Sequence, residues 1–277
     1  VPDSIIITGD CLEILPTLPA ASVNLVFTSP PYPGQKGNSQ TVEGWLEWLA
    51  AAMRSLVPLL APAAVIGLNV TLKRTPAGWF DSRLWTGVPA AIEAAGLNCL
   101  DTYIWNKTNA PQNGPRNYAD APGYEVVYVY TNAGRPADVA FTPHRRPYAP
   151  KSISKAGEAR IGYGRTRQPN GHGARQTNVI SLPTVASDGK RPRARGISFP
   201  LELPMRFIGQ YRRRDEPGYT VLDFCAGVGT TCRAAQLFGL NTVGIELDPD
   251  EAERARAWLA EPLQDALLPI PTEVSTP

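Results

Sequence analysis

The chain has 277 residues, 43% of them apolar, with four scattered cysteines (Cys11, Cys99, Cys225, Cys232) and two histidines, so one large α/β domain with an inserted module and a sizeable core is expected. No apolar run approaches the ~18 residues of a membrane span, no charged-then-apolar leader opens the chain, and there is no CxxC pair, which argues against a membrane protein, an exported protein, a zinc site and a disulfide framework. The formal charge of +2 hides an asymmetry: residues 135–195 hold 13 Lys/Arg against three Asp/Glu, while the remainder holds 14 against 22, as in a polyanion-binding module built into a domain with another task.

Short apolar segments recur in chain order at Ile5–Thr8, Val23–Phe27, Ala63–Asn69, Asn98–Trp105, Tyr124–Thr131, Tyr219–Asp223 and Thr242–Glu246. They predict seven strands, most of them buried on both faces. Helical spacing lies between several of them: Trp45, Trp48, Leu49, Ala52, Met53 and Leu56 share one face, and Trp85, Val88 and Ile92 another. A third helix follows Pro204 with Phe207, Ile208 and Tyr211 inward; a fourth carries Ala234, Leu237 and Phe238; the last runs from Glu251 to Leu259, before an extended tail from Glu261. Strands alternating with helices imply a doubly wound, mostly parallel sheet. Residues 132–196 break the rhythm with Gly, Pro and Arg and read as an insertion with little regular structure. The domain reading is therefore 1–131, the insertion 132–196, a second half 197–260 and a tail 261–277.

The second predicted strand runs straight into Thr28-Ser29-Pro30-Pro31-Tyr32. Each proline fixes its own φ, restricts the residue before it and contributes no amide proton, so the Ser29 and Pro30 carbonyls are pre-aimed acceptors without competing donors. Acceptors of this kind suit an NH2 group. Tyr32 adds a π face for a planar ring, and such stacking is worth roughly 1–3 kcal/mol per base. The loop from Gly34 to Gln40 has the composition of a lid, and equally that of an ordinary surface loop.

A second motif, Val221-Leu222-Asp223-Phe224-Cys225-Ala226-Gly227-Val228-Gly229-Thr230-Thr231, ends a strand in a glycine turn and opens a helix. Glu246 closes the next strand, placed to accept from ribose hydroxyls. Together they point to an adenosine moiety without saying which one. Asp223 ahead of the glycines would repel a pyrophosphate yet pair with a cationic amino-acid tail, which favours S-adenosylmethionine over NAD.

These residues resemble the DNA amino-methyltransferases of the beta arrangement, in which the catalytic motif precedes the cofactor turn and a variable basic segment lies between. Gly9-Asp10-Cys11-Leu12 leading to Ser29–Tyr32 is similar to that family's opening. Ile104–Lys107 and Tyr124–Val127 resemble the strands that wall the target-base pocket, and Ile197–Pro204 the motif before the methionine-binding turn. In the turn itself Phe224-Cys225 stand where Pro-Phe is usual after the acid, and Pro33 follows Tyr32.

The resemblance implies a circularly permuted, Rossmann-like methyltransferase fold in which the strands carrying Ser29 and Asp223 are neighbours. It implies Ser29, Pro30, Pro31 and Tyr32 as catalytic residues. For S-adenosylmethionine it implies Asp10, Cys11, Thr28, Phe199, Pro200, Asp223, Phe224, Cys225, Gly227, Gly229, Thr230, Thr231, Glu246 and Leu247, with Asp10 at the adenine amino group. The insertion becomes a target-recognition region, in which Arg145, Arg146, Arg165, Arg167, Arg175, Lys190, Arg191, Arg193 and Arg195, together with Lys36, meet double-stranded DNA. Serine at position 29 resembles the cytosine-N4 subgroup, with adenine N6 as the alternative; an NAD-dependent oxidoreductase is the rival from another class. The expected reaction flips the base out of the duplex, orients its amine on Ser29 and Pro30, and needs no metal. A separate restriction endonuclease partner and a cytoplasmic setting complete the expectation.

Overall fold

The computed structural model describes residues 3–33, 38–71, 81–109, 123–142, 177–184, 199–213 and 216–263, and the backbone of four short strands between 145 and 175. Its main sheet has eight strands: β1 (Ser4–Thr8), β2 (Val23–Thr28), β3 (Leu60–Val70), β4 (Asn98–Lys107), β5 (Tyr124–Thr131), β6 (Val179–Leu182), β7 (Thr220–Asp223) and β8 (Asn241–Glu246). Their spatial order is β1-β8-β7-β2-β3-β5-β4-β6. Only β5 runs antiparallel to its neighbours. The carboxyl ends of the other seven therefore share one edge of the sheet with the amino end of β5.

The sheet has one strand more than the seven expected. β6 comes from the segment read as irregular insertion and pairs in parallel with β4, Val179 opposite Ile104 through Leu182 opposite Lys107. Four residues at a sheet edge, with only Ile180 buried, carry too short a pattern to be seen in sequence.

Both faces are covered, as the apolar strands demand. On β5, Val126, Tyr128 and Tyr130 enter one core with α2 (Val42–Leu56) and α3 (Ser82–Glu93), while Val127 and Val129 enter the other with α4 (Glu202–Tyr211). The second core also takes Ala234 and Ala235 of α5 (Thr230–Leu237) and Trp258 of α6 (Pro249–Ala260). Fully burying one such large apolar side chain contributes about 1.5–3 kcal/mol. On α2 the expected face is the buried one, with Trp45, Leu49, Ala52, Met53 and Leu56 inward, except that Trp48 is only partly buried; the Thr41 hydroxyl accepts the Gly44 amide.

Two helix readings are corrected. α3 buries Leu84, Val88 and Ile92, and Trp85 is 44% exposed; a ring at position 85 or a leucine at 84 fits the 3.6 period equally well, and packing against α2 selects the leucine. α4 starts at Glu202, so Pro204 lies in its first turn rather than ahead of it, where the missing amide leaves no helix bond unmade.

At Gly67 on β3 a Cβ would stand 2.7 Å from carbons of both Phe27 and Phe207. The absent side chain lets α4 press an aromatic directly onto the sheet.

Candidate active site

β2 and β7 pair in parallel, Leu25 with Val221 and Val26 with Leu222, although nearly two hundred residues separate them in sequence. Their carboxyl ends bring Ser29 and the Asp223 turn to the same edge, at the place where ligands bind in doubly wound sheets.

Beyond β2 the chain is held rigidly. The Pro31 carbonyl accepts from Trp45 Nε1 at 2.7 Å and from Asn38 Nδ2 at 3.0 Å. Among the described residues none donates to the Pro30 carbonyl. Tyr32 turns inward: its ring is 4% exposed and packs in the core, and its hydroxyl lies 2.6 Å from the Ser29 hydroxyl. No face of the ring is open to a base, which corrects the stacking role expected of it. The apolar ring gains more from burial against the sheet than from solvent, provided the hydroxyl finds partners, and it does.

Those partners form a buried polar cluster from three further strands. Tyr32 Oη donates toward the Asn69 carbonyl at 3.1 Å or the Glu125 carboxylate at 3.4 Å. Asn69 Nδ2 donates to Glu125 Oε2 at 2.5 Å and lies 3.3 Å from the Ser29 hydroxyl. The Lys107 ammonium pairs with Glu125 Oε1 at 2.5 Å. Asn69 was not expected at the site, and Lys107 and Glu125 were expected only as members of the strand segments Ile104–Lys107 and Tyr124–Val127 that wall the base pocket, without a role of their own. The available signal was a polar residue at the edge of an apolar strand, in Ile66-Gly67-Leu68-Asn69 and Tyr124-Glu125-Val126-Val127.

A cavity of about 790 Å³ runs from Pro31 to the ends of β1, β7 and β8. Asp10, Cys11, Phe224, Cys225, Glu246 and Leu247, named in sequence as cofactor residues, line it together with Trp48, Asn38, Ser39, Gln40, Asp248 and Pro249. The glycine turn is tied to the strand-end acid: Glu246 Oε2 accepts the Gly227 amide at 2.7 Å, and Oε1 accepts the Asp248 amide at 2.9 Å. Gly227 and Gly229 both have positive φ, at 52° and 83°, which explains glycine at these positions. Asp10 caps the short helix α1 (Cys11–Ile14) through the Leu12 amide at 2.8 Å. The neighbouring Cys11 thiol, followed by burial, holds the Cys225 thiol well above its usual range, so it stays neutral.

Other expected cofactor contacts lie beneath the cavity rather than in it. Asp223 is 1% exposed and accepts the Cys225 amide at 3.1 Å. Burial pushes its carboxyl up to about 6, against the opposing pull of the Thr28 hydroxyl and the Cys225 amide. A carboxyl so enclosed offers no open face to a cationic tail, and the acid set that faces the cavity is Asp10, Glu246 and Asp248. Thr28 and Thr231 are fully buried, and Thr231 donates to the Phe27 carbonyl at 3.1 Å. Thr230 is 6% exposed. Phe199 and Pro200 are buried, Phe199 edge-on to Phe27 in the core on the α4 face. These residues support the site's floor, because the apolar and hydroxyl groups that shape a turn are the ones its interior consumes.

Lys36, Lys190, Arg191, Arg193 and Arg195 lie outside the described residues. Arg145, Arg146, Arg165, Arg167 and Arg175 fall on short antiparallel pairs, in which Arg145 stands opposite Arg175.

The fold and site define an enzyme class, and the chain belongs to the N6/N4 DNA methylase family, whose profile matches residues 23–257. It is 27% identical to the type II methyltransferase M.XycI of Xanthomonas campestris pv. cyanopsidis, over 89% of this chain and 84% of that protein. It is 24% identical to M.ScaI of Streptomyces caespitosus, over 90% and 78%. Among solved structures it superposes on the PvuII cytosine-N4-specific DNA methyltransferase with a TM-score of 0.72 at 15% identity, covering 95% and 88% of the two chains. A putative DNA modification methylase of Thermus thermophilus, solved with S-adenosyl-L-methionine, gives 0.61 at 24% identity, over 93% and 95%. Among the described residues no helix is long and apolar enough to cross a membrane.

Proposed function

We propose that this DNA methylase transfers the methyl group of S-adenosylmethionine to the N4 amine of a cytosine flipped out of duplex DNA. The observation that carries the reading is the meeting, at one sheet edge, of an acid-lined cavity with a hydroxyl and a proline carbonyl to which none of the described residues donates. Asp10, Glu246 and Asp248 give the cavity a negative lining, which suits a cationic ligand and opposes the pyrophosphate of NAD. Glu246 and Asp10 would hold the nucleoside end, and the turn after Asp223 would face the amino-acid end. When bound, the cofactor supplies an electrophilic methyl group on a sulfonium.

The chain's own part is orientation. A base amine is a poor nucleophile because its lone pair is delocalised into the ring. Ser29 Oγ and the Pro30 carbonyl accept hydrogen bonds from its two N–H groups and draw the nitrogen toward a tetrahedral shape, with the lone pair turned to the cavity; once the nitrogen carries the methyl group, one of the two protons passes to solvent. The rigid hold on Pro31 from Trp45 and Asn38 keeps that geometry. Serine rather than a carboxylate or amide at position 29 supports cytosine over adenine.

Residues 132–196 serve as the target-recognition region, a reading supported by the 13 Lys/Arg against three Asp/Glu of residues 135–195. By likeness to the type II relatives, a cognate restriction endonuclease is the partner activity, carried on a separate protein.

The test is to incubate the protein with cofactor and DNA, digest the DNA and weigh the nucleosides. N4-methylcytosine is expected; methyladenine without methylcytosine overturns the base assignment. Ser29→Ala is expected to lower kcat about 100-fold with cofactor affinity unchanged.

A further inference from the structure

A target amine needs acceptors facing it, and a serine hydroxyl does not guarantee one. The oxygen carries two lone pairs and one proton, and that proton can point at the amine and repel it, or point away. The buried cluster behind Ser29 decides between the two.

Ser29 Oγ lies 2.6 Å from Tyr32 Oη. On its far side Tyr32 Oη has two acceptors within reach, the Asn69 carbonyl at 3.1 Å and the Glu125 carboxylate at 3.4 Å; the Thr71 backbone amide donates to the oxygen, and Asn69 Nδ2, whose shorter bond goes to Glu125, stands 3.3 Å from it. Glu125 is pinned through both oxygens, by the Lys107 ammonium and by Asn69 Nδ2, each at 2.5 Å. An ionised carboxylate accepts and never donates. It therefore draws the single Tyr32 proton to its own side, where the Asn69 carbonyl also waits. The lone pair left on Tyr32 Oη faces Ser29, and the Ser29 proton falls into it. One Ser29 lone pair lies on the side of Asn69 Nδ2, 3.3 Å away, and the other is turned outward, with no proton beside it. Burial, followed by the nearby Glu125 charge, raises the Tyr32 hydroxyl well above its usual range, so the phenol keeps the proton it donates.

We propose that Glu125, charge-paired with Lys107, is a positioning residue for methyl transfer: acting through the Tyr32 hydroxyl, it turns the Ser29 proton away from the target amine. The proposal rests on the methyl-transfer reading above and adds to it three residues from β4 and β5 and the loop after β2. The ion pair is only partly sealed, with 18% of the Lys107 and 10% of the Glu125 side chain exposed. It lies at the edge where the base would enter and not in the middle of either core.

The test is a double-mutant cycle. Glu125→Gln keeps the shape but brings an amide that can donate to Tyr32, and Tyr32→Phe cuts the same link without touching charge. Each single variant is expected to lower kcat about 100-fold, with KM for DNA and affinity for S-adenosylhomocysteine unchanged. The double variant is expected to fall no further than the weaker single, because both break one chain of hydrogen bonds. Losses that simply multiply overturn the proposal, since Glu125 would then act on the fold and not through Tyr32. Full activity of either single variant also overturns it. If Glu125→Gln fails to fold, judged by loss of S-adenosylhomocysteine binding, Tyr32→Phe decides alone: reduced kcat at unchanged KM supports the proposal and unchanged kcat ends it. A wild-type protein that methylates neither base refutes the functional reading itself, an outcome distinct from an active wild type with equally active variants.

Discussion

The Glu246 carboxylate accepts the Gly227 amide at 2.7 Å, so the acid at the end of β8 and the glycine turn after β7 move as one piece. Its other oxygen takes the Asp248 amide at 2.9 Å and fixes the start of α6. Glu246→Ala strands two backbone amides and removes one acid from the cavity lining. Hydrogen bonds to a charged group contribute about 1.5–3 kcal/mol each. Binding of S-adenosylhomocysteine, measured by calorimetry, is expected to weaken roughly 10- to 100-fold; unchanged affinity would remove Glu246 from the cofactor site.

Gly67→Ala places a methyl group 2.7 Å from ring carbons of Phe27 and Phe207. Neither ring can retreat easily, because Phe27 is fully buried and Phe207 is 5% exposed and also packs on Tyr211. Overpacking of this kind costs about 1–3 kcal/mol. A denaturant midpoint lowered at unchanged slope is the expected reading, and a midpoint equal to wild type would show that α4 is not seated on β3 as described.

Asp223 makes stability depend on pH with an unusual sign. Its folded pKa, about 6, lies above the ordinary 3.8 because burial penalises the charged form. The native state thus holds a proton that the unfolded chain has released between those values, and stability falls as pH rises through this window. Two units correspond to about 3 kcal/mol. Asp223→Asn removes the dependence, so its stability relative to wild type should rise between pH 4 and pH 6 and level off above. Parallel unfolding curves across that range check this; a difference that does not vary with pH contradicts it.

Replacing Arg145, Arg146, Arg165, Arg167 and Arg175 together by alanine should weaken DNA binding and flatten its dependence on salt. Each lost phosphate contact lowers the slope by about 0.9. Filter binding or anisotropy at several salt concentrations measures it, and an unchanged slope places the DNA elsewhere.

Much of this was legible locally. The apolar segments ending at Thr8, Phe27, Asp223 and Glu246, and the glycines at 227 and 229, announce strands and a tight turn because strand periodicity and left-handed φ are properties of a few consecutive residues. The order of the two motifs, with a basic segment between, carried the resemblance to the DNA methylases.

Which side chain faces where was decided only by the tertiary structure. Tyr32 reads equally well as an exposed platform or a buried prop until β3 and β5 bring Asn69 and Glu125 to its hydroxyl. Asp223 reads as an open acid until the turn and the Thr28 side close over it. β6 is invisible until β4 offers it an edge. Ser29, Asn69, Lys107 and Glu125 are up to 96 positions apart; they become one cluster because β5 alone runs backward and returns its first residues to the edge where the other strands end. A buried polar group is specified by its partners, and the pairing of distant strands supplies them.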